Sequence, residues 1–407
     1  MKKLILFTSS FPFGKKETYL ETEIEILSKA FDQIDIYPHY YNQGNKTQRT
    51  LPKNIKVHEA ALPISKFKRL LQSLKGIVKG AKLPLFFKEF FQKKVYRSRN
   101  HIKSWLMALI DFAATVGSKQ YHQIKREKEA SLYFYWGFGW CYVLLNFDHS
   151  KTSSSYIRLH GSEVYLERSN GYIPLRKPLF NKTNYLLPIS DNLARYLQAH
   201  YLVDSEKILV SRLGVLIPEN FERKKTDVKQ EIHLASCSNM IKLKRIDFII
   251  EALKSLDGFP ITWIHFGDGP EMIPLQKLVD HANYKTIKVE FVGRKPNSEI
   301  LDYYKKHQVD AFINVSKHEG VPVSIMEAMS CKIPSIATNV GATSELVNDE
   351  NGILLDEDIT VEVVANAIKE VMKNEDWKKK SEKAYEHCNA YYNAKTNYKR
   401  VSQILKK

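Results

Sequence analysis

His318-Glu-Gly-Val-Pro-Val-Ser-Ile-Met-Glu-Ala-Met-Ser330 follows a short apolar run at 311–315. The run reads as a buried strand, and after Pro322 the apolar spacing changes to that of a helix. Between the two, a loop carries Glu319 and Gly320, and Pro322 stands where a first helical turn tolerates a missing N–H. The helix start offers unpaired amides and the positive end of a dipole, a ready site for a diphosphate. Glu327 lies eight residues after Glu319 and about one turn into the helix, placed to accept hydrogen bonds from the vicinal hydroxyls of a ribose. Glu319 can do the same for a sugar ring. Spacing alone leaves open the commoner roles of such glutamates, a cap or a surface charge.

The same alternation extends outward. In the second half, apolar runs at 232–237, 261–267, 289–293 and 335–338 are separated by periodic stretches such as 245–256 and 299–307. In the first half, runs at 4–7, 34–37, 132–136, 155–159 and 185–189 repeat the pattern. It predicts an α/β fold with parallel sheets covered on both faces. At 407 residues the chain has room for two such domains. Residues 218–230, polar, charged and without hydrophobic period, read as a linker. The expected plan is a Rossmann-like domain over 1–217, a second over 231–385, and a C-terminal helix over 386–407 packing back across both. Two doubly wound domains facing each other leave a cleft lined by strand carboxyl ends, where such folds bind ligands.

From Glu319 to Val347 the chain reads Glu-Gly-Val-Pro-Val-Ser-Ile-Met-Glu-Ala-Met-Ser-Cys-Lys-Ile-Pro-Ser-Ile-Ala-Thr-Asn-Val-Gly-Ala-Thr-Ser-Glu-Leu-Val. This stretch resembles the donor-binding signature of the retaining GT-B glycosyltransferases of family four, the glycosyl transferases group 1, bacterial surface-polysaccharide enzymes among them. The resemblance implies that Glu319 positions the transferred sugar, that Glu327 holds the ribose, and that Gly320, Val321, Pro322, Val323 and Ser324 lie along the donor. Pro322 replaces a glycine common in the family, so a backbone donor is missing there and Val323 and Ser324 inherit the contact.

Ser236-Cys-Ser-Asn-Met-Ile-Lys-Leu-Lys-Arg-Ile-Asp247 resembles the family segment that offers an arginine and a lysine to the diphosphate. Lys244 matches the lysine, whereas Asn239 occupies the arginine position, so either Arg245 compensates or the leaving group is held less tightly. A cation is needed here because the departing nucleoside diphosphate gains charge as the glycosidic bond breaks. Phe266-Gly-Asp-Gly-Pro270 reads as a tight turn, and Arg294, after another strand, is carried over as donor-binding. In the first half, Thr8-Ser-Ser-Phe-Pro-Phe-Gly14 resembles the glycine-bearing loop over the donor phosphates, with Gly14 as its glycine and Glu17 beginning the next helix. Arg158-Leu-His-Gly-Ser-Glu-Val-Tyr165 resembles a His-Gly-x-Asp-x-Tyr segment. There His160 faces the donor sugar as a catalytic residue, Glu163 stands for the aspartate, and Arg158 and Tyr165 lie on the acceptor side.

The charge distribution bears on partners. The net charge is +17, and from Lys66 to Lys103 twelve Lys or Arg face one acid, Glu89. Apolar residues are interleaved at helical spacing, so a basic amphipathic helix pair is expected, suited to an anionic membrane surface. No nucleic-acid signature accompanies it, and no nucleic-acid partner is expected. The N-terminal Lys-Lys-Leu-Ile-Leu-Phe run is too short for a signal peptide and reads as a first strand. The apolar stretch 105–117, interrupted by Asp111, falls below the roughly 18 residues a spanning helix needs. Four scattered cysteines show neither zinc spacing nor a disulfide framework, as expected of a cytoplasmic protein.

Together these readings predict a metal-independent hexosyltransferase without a cofactor, using a nucleotide sugar, UDP-linked by family habit, as co-substrate. Its expected acceptor is a saccharide, carried on a polyprenyl diphosphate at the inner face of a bacterial membrane. A non-catalytic nucleotide-sugar binder, with Asn239 and Pro322 marking lost turnover, is the alternative.

Overall fold

The computed structural model describes residues 2–14, 17–40, 49–63, 65–127, 129–146, 154–219, 221, 231–373 and 376–407. The chain forms two compact units, Met1–Arg212 with Thr396–Lys407, and Leu213–Lys395. The division falls five residues before the expected end of the first domain at 217, and most of the expected linker, at 220 and 222–230, lies outside the described residues.

In the first unit six strands, β1 (Lys3–Thr8), β2 (Gln33–Pro38), β3 (Ile55–Val57), β4 (Ala130–Phe134), β5 (Ser155–Leu159) and β6 (Tyr185–Pro188), form one parallel sheet in the order β3-β2-β1-β4-β5-β6. Seven helices accompany them: α1 (Tyr19–Ser28), α2 (Lys66–Val78), α3 (Pro84–Gln92), α4 (Arg99–Val116), α5 (Lys119–Ile124), α6 (Arg176–Lys182) and α7 (Asp191–Tyr201). The inner strands read as nearly unbroken apolar runs because helices cover both faces, and Leu4, Ile5, Leu6, Ile34 and Ile157 have no exposure. The basic segment folds as three helices rather than the expected pair, α2, α3 and the start of α4, with Ser65 and Ser98 capping the first and last.

In the second unit β7 (Ile232–Cys237), β8 (Ile261–Phe266), β9 (Ile287–Gly293), β10 (Ala311–Asn314), β11 (Ser335–Thr338) and β12 (Gly352–Leu355) pair in the order β12-β11-β10-β7-β8-β9. With them run α8 (Ile246–Lys254), α9 (Met272–Ala282), α10 (Asn297–Lys306), α11 (Val323–Ser330), α12 (Val361–Lys373) and α13 (Trp377–Tyr391). Trp263, Ile250, Leu253 and Ile368 lie in its core. Counted from the first strand of each unit, both sheets have the doubly wound order 3-2-1-4-5-6. In each, the direction of strand progression reverses beside the unit's first strand, and the crevice at that reversal is where such sheets take ligands. The reversal lies between β1 and β4 in the first unit and between β7 and β10 in the second.

The C-terminal segment differs from the single expected helix over 386–407. It breaks at Tyr392–Asn393, and α14 (Ala394–Ile404) follows. The break has a local cause: Val215 donates its N–H to the Tyr392 carbonyl at 2.8 Å and accepts from the Ala394 N–H at 2.9 Å, withdrawing both groups from a helical ladder. The last turn joins the first unit, where the Leu405 carbonyl accepts from Ser131 Oγ at 2.5 Å.

Candidate functional site

The second unit's site is built at its reversal point. After β7 the chain passes through Asn239 to a short 3-10 turn, Lys242–Lys244, and after β10 through Ser316 to Glu319. Lys317 N donates to the Leu243 carbonyl at 2.8 Å and so ties the two loops together. Across that tie, Lys244 Nζ reaches Glu319 Oε1 at 2.5 Å, and Asn314 Nδ2 donates to the same oxygen at 3.2 Å. Both side chains of the ion pair are largely covered, Lys244 20% and Glu319 12% exposed. Low local dielectric strengthens such a pair, and it strengthens equally the pull of the ammonium on any other anion brought there.

Two glycines make this geometry possible. Gly341 (φ 63°) packs where a Cβ would collide with the Glu319 carbonyl oxygen, and Ala342 N donates to the Gly320 carbonyl at 3.0 Å. Gly267 (φ 146°), the first glycine of the Phe266–Pro270 turn, lies against the Ser238 carbonyl in the same way. The turn therefore buttresses the β7 loop from below.

Pro322 is the cap of α11 rather than part of its first turn: its backbone is extended (φ −72°, ψ 104°), and its carbonyl accepts from Ile325 N at 3.1 Å. Because proline's ring fixes φ but leaves ψ free, it serves before a helix as well as within its first turn. Val323 and Ser324 begin the helix, half-buried, with amides that have no intrahelical partner. Val321 is buried beside them. Glu327, one turn further, is half-buried and accepts from Asn297 Nδ2 at 2.5 Å. Burial pushes its carboxyl up to about 7, against the opposing effect of the Asn297 amide.

The other predicted cations fall differently. Arg294 is half-exposed, 3.4 Å from Asp268 and donating to Asn239 Oδ1 at 3.2 Å, so Asn239 and Arg294 share one edge of the β7 loop. Arg245 does not compensate for Asn239. It sits in the left-handed region (φ 48°), and its guanidinium donates to the carbonyls of Val315 at 2.7 Å, Ser316 at 2.9 Å and Glu357 at 3.1 Å. It braces the backbone before Glu319, with three of its five N–H donors spent on carbonyls.

In the first unit the segment 158–165 is mostly framework. Arg158 has no exposure. It pairs with Glu23 at 3.0 Å and donates to the Tyr133 hydroxyl at 2.9 Å and the Ser211 carbonyl at 3.1 Å. Glu163 is equally buried, accepting from His160 N at 3.0 Å and Ser162 Oγ at 2.9 Å. Burial raises its carboxyl, but the bonds and charge of His160 outweigh it and hold Glu163 below the ordinary carboxylate range. Tyr165 is 6% exposed, edge-on to Tyr196 and beneath Arg168. None of the three is placed to touch an acceptor, because each is enclosed by its own unit. His160 is the exception: its ring lies 4.3 Å from that of Trp136, and neither ring nitrogen has a hydrogen bond among the described residues. Glu163 Oε1 is its nearest carboxylate oxygen, 3.5 Å from Nδ1.

The loop after β1 also departs from expectation. Glu17 does not begin a helix; α1 starts at Tyr19, and Glu17 has a left-handed backbone (φ 59°). Its carboxylate accepts from the amides of Ser9 at 3.0 Å, Ser10 at 2.8 Å and Phe11 at 2.7 Å, and from Trp136 Nε1 at 2.6 Å. The amides a phosphate would use are thus taken by an internal anion. Gly14, the loop's glycine (φ 77°), turns the chain just beyond them.

Sequence reasoning missed Asn314, Asn297 and Glu23. Each acts on a partner 5, 30 or 135 residues away through a side chain whose type alone signals nothing.

Residues 218–390 match the family model described as glycosyl transferases group 1. The WcaL protein of Escherichia coli K12, named as a colanic acid biosynthesis glycosyltransferase, is 31% identical over 206 residues, 49% of this chain and 50% of its own length. TuaC of Bacillus subtilis 168, named as a teichuronic acid biosynthesis glycosyltransferase, is 26% identical over 256 residues, 60% of this chain and 61% of its own. The chain therefore spans less than two thirds of either relative. Sucrose-phosphate synthase from Thermosynechococcus elongatus superposes with a TM-score of 0.70 at 14% identity, covering 99% of this chain and 98% of that one. Residues 218–390, which hold Lys244, Glu319 and Glu327, thus carry the likeness to the glycosyl transferases group 1, within a chain whose two doubly wound units have the GT-B fold.

Proposed function

We propose that the protein is a retaining glycosyltransferase that moves a hexose or N-acetylhexosamine from a nucleotide sugar to a saccharide acceptor in bacterial cell-surface polysaccharide biosynthesis. The observation that carries the proposal is the Lys244–Glu319 pair at the reversal point of the second sheet, beside the free amides of Val323 and Ser324 and one turn from Glu327. In this reading the amides and Lys244 take the diphosphate, Glu319 orients the sugar, and Glu327 accepts from the ribose hydroxyls. With the charge of the leaving group met by these groups, the reaction runs without a metal or cofactor. His160 is the sugar-contacting residue proposed for the first unit, its ring nitrogens without a hydrogen bond among the described residues. The leaving phosphate takes the acceptor proton, a front-face course that asks no group of the protein to act as base. UDP is the proposed carrier.

The acceptor is proposed to be lipid-linked, on a polyprenyl diphosphate, and the protein to work at the cytoplasmic membrane face. Gly76 of α2 packs backbone to backbone on Ala113 of α4, which turns Phe67, Leu71, Leu74 and Val78 outward; Phe67 is 69% exposed and Val78 87%. Lys66, Lys68, Lys75 and Lys79 accompany that row, and α2 carries no acid. Apolar insertion plus basic attraction is the pairing an anionic bilayer retains. No helix among the described residues is long and apolar enough to cross a membrane.

The test is turnover in EDTA. Incubating the protein with UDP-, GDP- and ADP-sugars and lipid-linked or alkyl saccharides should yield a glycoside whose anomeric proton coupling matches that of the donor. An inverted product, or transfer only after a divalent ion is restored, would refute the corresponding part of the proposal.

A further inference from the structure

β10 ends on an amide where an apolar side chain is expected. The strand lies between β7 and β11 in the middle of the second sheet, and the run Ala311-Phe-Ile-Asn-Val315 is apolar at every position but Asn314. Central parallel strands read as unbroken apolar runs, and a polar group set among them must find partners. Asn314 finds them in its own loop. Its Oδ1 accepts from Ser316 N at 3.2 Å and from Ser316 Oγ at 2.6 Å, while its Nδ2 donates to Glu319 Oε1 at 3.2 Å. The Ser316 backbone amide can only donate, so the Asn314 oxygen must face it and the NH2 group must face Glu319.

Ser316 is itself held. It is 1% exposed, and its carbonyl accepts from Thr338 Oγ1 at 2.6 Å and from Arg245 Nη2 at 2.9 Å. Arg245 Nε holds the neighbouring Val315 carbonyl at 2.7 Å. The end of β11 and the turn before α8 thus fix the 314–316 backbone from two sides, and Asn314 passes that rigidity to the carboxylate. Two donors of different kind meet on Glu319 Oε1. Lys244 Nζ is a full charge on a long, flexible stem, whereas Asn314 Nδ2 is neutral, on a short side chain locked by Ser316. A diphosphate draws the ammonium away by its charge and exerts no such pull on the amide.

We propose that Asn314 is the positioning residue of Glu319: it keeps the carboxylate aimed at the transferred sugar when Lys244 turns to the diphosphate, with Ser316 setting the direction of the amide. The inference rests on the glycosyltransferase reading and adds to it a residue that acts on the sugar half of the donor and not on the nucleotide.

The full chain is titrated calorimetrically in EDTA with UDP, GDP and ADP, and with UDP-glucose, UDP-N-acetylglucosamine, GDP-mannose and ADP-glucose. For the nucleotide that binds, Asn314→Ala should leave the affinity for the diphosphate within about twofold and weaken that for its sugar conjugate about tenfold, the size of one hydrogen bond to a charged group. Added to Glu319→Ala, the same substitution should cost the conjugate nothing further, because it acts through that carboxylate. Ser316→Ala takes one donor from the amide oxygen and leaves the main chain intact; it should shift the ratio of the two affinities in the same direction, and it carries the test if Asn314→Ala does not fold. Equal losses for nucleotide and conjugate, an unchanged ratio in the variants, or a full additional loss on top of Glu319→Ala overturns the inference and leaves the glycosyltransferase reading standing. Native protein that binds neither nucleotides nor their conjugates brings down both.

Discussion

Lys244 Nζ stands 2.5 Å from Glu319 Oε1 although the two residues are 75 positions apart and follow different strands. The contact joins the β7 and β10 loops at the point where the second sheet reverses direction. Under the proposed function, a diphosphate arriving there would compete with Glu319 for the ammonium and free the carboxylate for sugar hydroxyls, so one ion pair would couple neutralising the leaving group to orienting the sugar.

Lys244→Ala should lower kcat/KM by about 10²–10³-fold, the usual effect of removing one preorganised group from a developing charge. Both side chains are largely covered, so the variant also leaves Glu319 short of a partner and the melting temperature should fall. Steady-state kinetics beside thermal melts checks both statements. A large loss of stability with turnover retained would assign the pair to structure.

Glu327 gives a pH dependence with a definite sign. Burial raises its carboxyl from 4.5 to about 7, so the folded protein disfavours the ionised form. The resulting cost is absent below 4.5, grows as pH rises between the two values, and is complete above about 7. Glu327→Gln removes it, and the variant should therefore gain stability relative to the native chain as pH rises through that window. Thermal melts from pH 4 to 8 read the difference directly; a gap that stays constant with pH would contradict the assignment.

Arg158 and Glu23 should matter to folding and not to acceptor recognition. Removing one partner leaves an uncompensated charge with no exposure, worth about 3–5 kcal/mol. Arg158→Met and Glu23→Leu should each destabilise by this order, and the double variant by distinctly less than their sum. Chemical denaturation of the three variants checks it.

Reversing the charge at Lys66, Lys68, Lys75 and Lys79 should reduce binding to vesicles with anionic lipid by more than tenfold, at about 1 kcal/mol per basic residue. Phe67→Ser with Val78→Ser should weaken binding even at high salt, where the ionic part is screened. Nucleotide binding should be unaffected in both. Sedimentation with vesicles of defined composition measures it.

The sequence carried most of the architecture because both sheets are built from parallel, doubly covered strands, which write themselves as apolar runs. The strands it left out, Ile55–Val57 and Gly352–Leu355, are short strands at sheet edges. Lys244, Glu319 and Glu327 were legible for another reason: they stand on loops and a helix start that a contiguous motif defines. Arg245 was misread because its neighbour Asn239 suggested a missing cation, whereas the left-handed backbone at 245 aims the guanidinium at three carbonyls. Arg158 was misread for a similar reason: a charge near a motif looks available to a ligand until its partner, here Glu23, is seen in space. Glu17 was read as a helix start because its bonds to the amides of the β1 loop are invisible in the sequence.

The most direct test of the central claim, that the Lys244–Glu319–Glu327 site holds the donor, is isothermal titration of the full chain with UDP, GDP and ADP in EDTA, repeated for Lys244→Ala and Glu327→Ala. The account predicts one nucleoside diphosphate binding at one site per chain, at least about tenfold weaker in each variant. Native affinity in both variants, or no binding of any nucleotide, would contradict it.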